Sequence, residues 1–407
     1  MPFKPIQLLI TFIITLIFGV AASGIAFATQ KVSITYLELI VDRPPLLSNV
    51  LPEPEDSGLQ GARLGTKDNN AGGRFSGQQY SLIETRSNDL SELIEQAETW
   101  YQQGHRLLLA NMPGPALKQL ARKFNDRDLL IFNTAAADNQ LRTSDCFNNL
   151  LHTLPSRAML TDALAQWLVA KKLKRWLLIT GPRNEDLAWA TSIKRAAKRY
   201  NTTVVAEKAW TFNTDLRRTA QAEVPLFTQT DEYDVVVVAD ELGDFGEYLL
   251  YNSWYPRPVV GTQGLTPTAW HRVVEQWGAA QLQRRFDTLA GRWMTAIDYA
   301  NWAAVRSIGE AVTQLAASDN FSVSNSAAIR QLLLSDHFQL AGFKGRKLSY
   351  RPWNGQLRQP IPLIHPRALV SQSPQEGFLH PKTDLDTLGF DRPESHCRLQ
   401  QAAGASL

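Results

Sequence analysis

The stretch that most constrains this chain is Gly58-Leu59-Gln60-Gly61-Ala62-Arg63-Leu64-Gly65-Thr66-Lys67-Asp68-Asn69-Asn70-Ala71-Gly72-Gly73-Arg74-Phe75, set between two strand-like runs, Val32 to Ile40 and Gln79 to Glu84. Leu59, Ala62 and Thr66 recur at helical spacing and give a narrow stripe that can dock on a sheet. Asn69-Asn70 and Gly72-Gly73 tolerate left-handed backbone, so the helix is expected to end there and the chain to reverse. Strand, helix and strand in this order form one crossover unit. Periodicity alone fits any α/β protein.

At 407 residues the chain is long enough for two lobes, each with its own core. A formal net charge of +3 gives no reason to expect nucleic acid or a membrane surface as partner. Residues 1–28 read as a secretory signal: Lys4, an apolar run from Leu8 to Val20, then Ala26-Phe27-Ala28. Cleavage is expected after Ala28; the alternative is an uncleaved anchor, for which the apolar run is short. The mature chain is therefore expected in the periplasm. Two cysteines exclude a disulfide framework and a four-cysteine zinc site. In an oxidising compartment Cys146 and Cys397 are expected to pair, which would pin the C-terminal tail; two buried free thiols are the alternative.

Along the chain, strands and helices alternate, which means mostly parallel sheet. A helix from about Leu90 to Gln103 precedes a strand at Arg106 to Ala110, which runs into Asn111-Met112-Pro113-Gly114-Pro115. A strand at Leu129 to Phe132 ends in Asn133-Thr134-Ala135-Ala136-Ala137-Asp138. Asn148 to Pro155 suggests a crossing between lobes, after which the pattern restarts. The unbroken valines of Tyr233 to Ala239 predict a strand buried on both faces. It leads into Asp240-Glu241-Leu242-Gly243-Asp244, and a further strand ends in Gly261-Thr262-Gln263-Gly264. Trp270 to Phe286 and Tyr299 to Ala317 read as helices, Leu348 to Gln359 as a hairpin around Asn354-Gly355, and everything from Pro362 as an extended tail. Ligands in such sheets lie beyond the carboxyl ends of strands, which makes these loops either ligand walls or ordinary turns.

Signatures of catalysis are thin. The seven histidines are scattered, and no nucleophile elbow, phosphate loop or dinucleotide fingerprint occurs. Asp240, Glu241 and Asp244 are compatible with acid/base chemistry, with a hard cation, with a cationic or hydroxylated ligand, or with a solvated helix start. Phe245, Tyr248, Tyr251, Trp254 and Tyr255 have the spacing of a core-facing helix and also of an aromatic ligand wall.

The order of strand, cleft loop, glycine- and alanine-bearing helix, glycine pair and strand resembles the opening of type I periplasmic binding proteins, with the Leu/Ile/Val-binding proteins of ABC importers as well-known relatives. The resemblance extends with gaps over roughly residues 31–360. Pro52-Glu53-Pro54-Glu55-Asp56, Gly261 to Pro267 and Asp391-Arg392-Pro393-Glu394-Ser395 resemble the subgroup associated with PQQ-dependent alcohol catabolism. The resemblance implies an α/β fold of two Rossmann-like lobes with parallel sheets, joined by a three-strand hinge. It implies lobe 1 from segments 29–153 and 285–356, lobe 2 from 154–284, and a lobe 2 return with tail over 357–407. The implied ligand-binding residues are Asn111, Met112, Thr134, Ala135, Ala136, Asp240, Glu241 and Gln263. Gln263 stands where those relatives carry the glutamate that takes an α-ammonium, so amino-acid specificity is not expected. The function implied is the solute-binding component of an ABC transporter. It would be a monomer serving an inner-membrane permease and closing on a small organic molecule, with no cofactor and no catalysis. The alternative is an exported accessory protein or enzyme of alcohol oxidation that uses the fold without transport.

Overall fold

The computed structural model describes residues 29–43, 50–212, 216, 219–316 and 321–399. The expected signal segment 1–28, Ala317 at the end of one expected helix, and the last residues of the tail lie outside them. Strands β1 (Gln30–Leu39), β2 (Gln78–Ser87), β3 (Leu107–Asn111), β4 (Leu130–Asn133) and β5 (Leu150–His152) form one parallel sheet in the order β2-β1-β3-β4-β5. Helices α1 (Leu59–Ser76), α2 (Leu90–Gln102) and α3 (Gly114–Lys123) connect its first four strands. The two-residue period of the strands feeds both faces. Val32, Ile34, Tyr36, Leu107 and Leu109 enter one core cluster, while Leu37, Leu108 and Ala110 enter another with α2 and α3.

Helix α1 does not stop at Asn69-Asn70. It runs to Ser76 and is closed by Gly77 in the left-handed region at φ 69°. Tertiary contacts use the two asparagines instead. Asn69 Nδ2 donates to Val305 O at 2.8 Å, and Asn70 holds the backbone of Tyr80 at 2.8 and 2.9 Å.

The second lobe opens with α4 (Arg157–Ala170) and β6 (Arg175–Thr180), followed by α5 (Asn184–Arg199), β7 (Thr203–Ala209), α6 (Ala220–Thr228), β8 (Val235–Ala239) and β9 (Val259–Gly261). Its parallel sheet has the order β7-β6-β8-β9. All five residues of β8 are buried, Val235, Val237 and Ala239 on one face and Val236 and Val238 on the other.

After β10 (Thr266–Pro267) the chain leaves this lobe. Trp270, Val274, Ala279, Leu282 and Phe286 all join the first lobe's core. The second crossing therefore lies at about 268–270, and the expected boundary at 284 falls inside α7 (Ala279–Ala290), a helix of the first lobe. The resemblance implies that boundary, and an amphipathic stripe, which looks the same whichever core receives it, offers nothing to correct it. The expected helix from Trp270 begins only at Ala279, because Trp277 (φ 56°) and Gly278 (φ 84°) break it. Helices α8 (Ala296–Leu315) and α9 (Ser326–Leu333) follow, then β11 (Leu340–Ala341), β12 (Lys347–Tyr350) and β13 (Leu357–Arg358), an antiparallel set that includes the expected hairpin.

The chain then returns to the second lobe. The expected extended tail instead starts as a hairpin of β14 (Ile361–His365) and β15 (Ala368–Ser373), with β10 paired on β14. The fold is thus α/β, with two parallel-sheet lobes joined by three crossings. Amides knit the crossings together: Gln356 Nε2 donates to Leu154 O at 3.1 Å, Gln359 Nε2 to Thr153 O at 2.8 Å, and Thr268 N to Pro362 O at 3.0 Å.

The approach of α1 to α8 is set by small residues. A Cβ on Gly61 would lie 1.9 Å from Asp298 O, and one on Gly65 2.8 Å from Val305 Cβ. Gly→Ala inside an exposed helix stabilises by about 1 kcal/mol, whereas overpacking costs roughly 1–3 kcal/mol. The clash here is with backbone, so Gly61→Ala is expected to lose about 2–3 kcal/mol in urea unfolding. A stabilised variant would contradict the close contact.

Candidate functional site

The carboxyl ends of β1, β3 and β4 in the first lobe and of β6, β8 and β9 in the second carry the candidate loops, as the switch-point rule requires. Asn111 ends β3 and is buried; its Nδ2 donates to Tyr36 Oη at 2.7 Å and to Ser57 O at 3.0 Å. It thereby fastens the loop before α1 to the sheet. Gly58, at φ 94°, has no room for a side chain, since a Cβ would come within 2.7 Å of Asn111 Nδ2. Met112 turns its side chain into the core with α2 and α3, so only its backbone is available to a ligand. Thr134 is fully buried, and its hydroxyl donates to Ala110 O at 3.2 Å. Asn133, which the sequence reading did not select, shapes the next turn. Its Oδ1 accepts from Ala135 N at 3.3 Å and Ala136 N at 2.8 Å, and its Nδ2 donates to Ala136 O at 2.8 Å. Of this loop, Ala136 is buried in the core and Ala135 is half-buried.

In the second lobe each of the three candidate acids, Asp240, Glu241 and Asp244, already has a partner. Glu247 in the same loop is half-buried without one among the described residues, and burial raises its pKa. The Asp240 carboxylate accepts from the N–H groups of Asp244 (2.8 Å), Phe245 (2.9 Å) and Gly246 (2.6 Å) and so closes its own turn. Burial nevertheless pushes its pKa up. Glu241 takes a two-pronged bond from Arg157, with Nε to Oε1 at 2.6 Å and Nη2 to Oε2 at 2.8 Å. Burial raises Glu241, with Arg157 opposing the rise. Asp244 pairs with Arg183. Behind them Asp186, fully buried, accepts from Glu241 N at 2.8 Å and Arg183 N at 3.2 Å, and burial pushes it up to about 6. Sequence reasoning missed Arg157, Arg183 and Asp186 because each sits far along the chain from its partner.

Gln263 is the exception. It is half-buried, and its amide has no hydrogen-bond partner among the described residues. It is seated on Gly246, where a Cβ would lie 2.2 Å from Gln263 Cγ. The two lobes meet around this group. Arg157 Nη1 lies 3.8 Å from Asp138 Oδ2 of the first lobe, and a Cβ on Gly243 would lie 3.4 Å from Val50. The structure therefore brings Asp240, Glu241 and Gln263 together on one side, and Asn111, Thr134 and Ala135 on the other. Asp138 stands between them, packed against Gly114.

The aromatic series after Asp244 is not an α-helix; only a 3-10 helix, Gly246–Leu249, forms there and carries Tyr248. Phe245 stacks on Trp210 at 4.5 Å and Tyr255 packs edge-on against Tyr233, so both belong to the core, while Tyr251 is exposed. Trp254 lines a separate cavity of about 670 Å³ with Trp167, Arg257, Leu265 and His365, and none of the candidate residues lines it. Among the described residues no group of His, Cys, Asp and Glu side chains is placed to hold a metal ion, and no helix is long and apolar enough to cross a membrane. The expected Cys146–Cys397 disulfide is present, with a Cα–Cα distance of 5.6 Å.

The sequence model of a family described as periplasmic binding protein matches residues 52–245. No curated protein sequence matches the chain. Among solved structures, a branched-chain amino acid ABC transporter periplasmic ligand-binding protein from Burkholderia xenovorans is similar at 16% identity and a TM-score of 0.70, covering 90% of this chain and 99% of that one. The leucine-, isoleucine-, valine-, threonine- and alanine-binding protein from Brucella ovis, in a closed conformation, is similar at 14% identity and 0.65, covering 92% and 99%. An ABC transporter solute-binding protein from R. palustris in complex with benzoate is similar at 11% identity and 0.59, covering 82% and 93%. At these identities the likeness is one of fold, and the fold is that of type I periplasmic binding proteins.

Asp186 gives the site a pH signature. Its folded value of about 6 lies above the ordinary 3.8, so between these the folded chain holds the extra proton. Its contribution to stability then rises as pH falls from about 6 to about 4. Relative to Asp186→Asn, the wild type is expected to gain melting temperature across that window. Parallel melting curves for the two proteins would show that Asp186 titrates as an ordinary solvated acid.

Proposed function

We propose that this chain is the solute-binding component of an ABC importer, exported to the periplasm and working as a monomer that closes on a small organic molecule and offers it to a permease. The observation that carries the reading is the pair of parallel sheets whose carboxyl ends meet across three crossings. The family model over 52–245 and the binding-protein neighbours support the same assignment. Binding, rather than catalysis, fits side chains that serve mainly to shape loops.

For the ligand, the charge arrangement argues against an amino acid. An α-ammonium taken out of water needs an unengaged carboxylate. Asp240, Glu241 and Asp244 are instead held by backbone N–H groups, by Arg157 and by Arg183. Gln263 offers an uncharged donor and acceptor in their midst. A neighbour of this fold in complex with benzoate shows that the architecture accommodates a ligand without an ammonium group. We place the ligand among the alcohols, aldehydes or acids of PQQ-linked alcohol oxidation, on the strength of the Pro52 to Asp56, Gly261 to Pro267 and Asp391 to Ser395 segments. PQQ itself, with three carboxylates, is disfavoured beside this acidic loop.

Calorimetry with leucine, isoleucine and valine beside short alcohols, aldehydes, carboxylates and PQQ tests the reading. The amino acids should give no saturable heat. An uncharged or singly charged organic ligand should bind, be recovered unchanged, and lose about tenfold in affinity, roughly 1.4 kcal/mol, on Gln263→Ala. Micromolar binding of leucine, lost on Gln263→Ala, would overturn the specificity. Conversion of the ligand would overturn the binding-protein reading.

A further inference from the structure

The segment after β15 touches both lobes at once. On the second lobe, Gly389 N donates to Asp162 Oδ2 at 2.8 Å, while Arg199 and Arg195 donate to Gly389 O at 2.6 and 2.9 Å. Gln166 Nε2 meets Thr387 Oγ1 at 3.1 Å, and Tyr200 Oη donates to Thr387 O at 3.1 Å. These partners lie on α4 and α5 or at the end of α5. On the first lobe, Arg351 follows β12, whose Leu348 and Tyr350 belong to that lobe's core. Its Nε donates to Asp386 Oδ1 at 2.8 Å and its Nη2 to Leu388 O at 2.6 Å. Gly389 is wedged between the two, since a Cβ there would lie 2.7 Å from Met159 Cγ and 3.4 Å from Arg351 Nη1. Beyond it the chain settles on the connection between β4 and β5. Ser395 Oγ donates to Arg142 O at 2.8 Å, His396 N to Thr143 O at 3.0 Å, and Cys397 is joined to Cys146.

We infer that residues 384–397 form a strap across the two lobes, a fourth connection beside the three crossings, which the Cys146–Cys397 bond locks covalently and which limits the range of angles the lobes can adopt. The topology carries the argument. The disulfide fixes one end of the strap to the first lobe between β4 and β5, and the hydrogen bonds of Gly389, with the Glu394 ion pairs to Arg195 and Arg199, fix its middle to α4 and α5 of the second. Without the bond, the end of the strap is held to the first lobe only by hydrogen bonds that can break one at a time. With it, a change in lobe angle that breaks the Arg351 bonds to Asp386 and Leu388 must still be absorbed within the few residues between Gly389 and Cys397. A narrower set of open angles also means less conformational freedom to lose on closing over a ligand, whatever that ligand is.

The test needs no ligand. Spin labels on unnatural side chains replace Phe75 on α1 and Leu187 on α5, both exposed and on opposite lobes. Pulsed dipolar spectroscopy then reads the distance between lobes in the oxidised full chain, in the same protein after thiol reduction, and in the Cys146→Ser/Cys397→Ser protein. The oxidised chain should show one narrow distribution. Reduction and the double substitution should both broaden it, with the near-UV circular dichroism of the packed lobes retained. Superimposable distributions in all three samples would overturn the inference. So would loss of the near-UV signal on reduction, because the bond would then be holding the fold of a lobe rather than the angle between lobes.

Discussion

A buried guanidinium holds the crossings and the candidate site in one register. Arg142 is almost wholly buried, yet it donates to Gln356 Oε1 at 2.9 Å, Leu154 O at 3.1 Å, and Ala136 O and Asp138 O at 2.9 Å each. Those acceptors lie in the third crossing, the first crossing and the loop after β4. Burial lowers its pKa to about 9, which leaves it charged at neutral pH. A buried cation without a bound carboxylate persists only where several carbonyls answer it, and four do so here. His152, buried beside it, is kept neutral by burial and by the same charge. The position of the candidate loop at Ala136 to Asp138 is thus tied to the chain segments that cross between the lobes.

The second lobe solves its electrostatics differently. Where Arg142 is met by carbonyls, the acids at the end of β8 are met by backbone N–H groups and by two arginines. This matching stabilises the loop in the absence of a ligand, and it removes the charge that a cationic ligand would require. Unengaged among the candidate residues is the neutral Gln263 amide on its glycine seat. On the proposed function, a second positive charge beside Glu241 would have to displace Arg157 from it.

Much of this was legible in the sequence. The valines of β8 announce a strand buried on both faces, and the stripe of α8 announces a helix, because periodicity reports burial directly. Other features were opaque for physical reasons. Asn69 and Asn70 have the composition of a helix stop, but their amides are bound by residues 236 and 10 positions away, and those bonds outweigh local preference. Pro362 and its neighbours resemble surface tail, yet they pair with β10 within the second lobe. Asp240 looks the same on paper whether it faces a ligand or caps its own turn. The loops of the site could be placed, while the orientation of Met112 and Thr134 depended on contacts that no local pattern encodes.

On the proposed function, the two lobes enclose a small organic molecule between the paired charges of Arg157–Glu241 and Arg183–Asp244. Native mass spectrometry of the protein purified from its own periplasm tests this. The expected result is a complex carrying one small organic molecule with no amino group, released intact on denaturation. A protein that carries leucine, isoleucine or valine from the same preparation would contradict it.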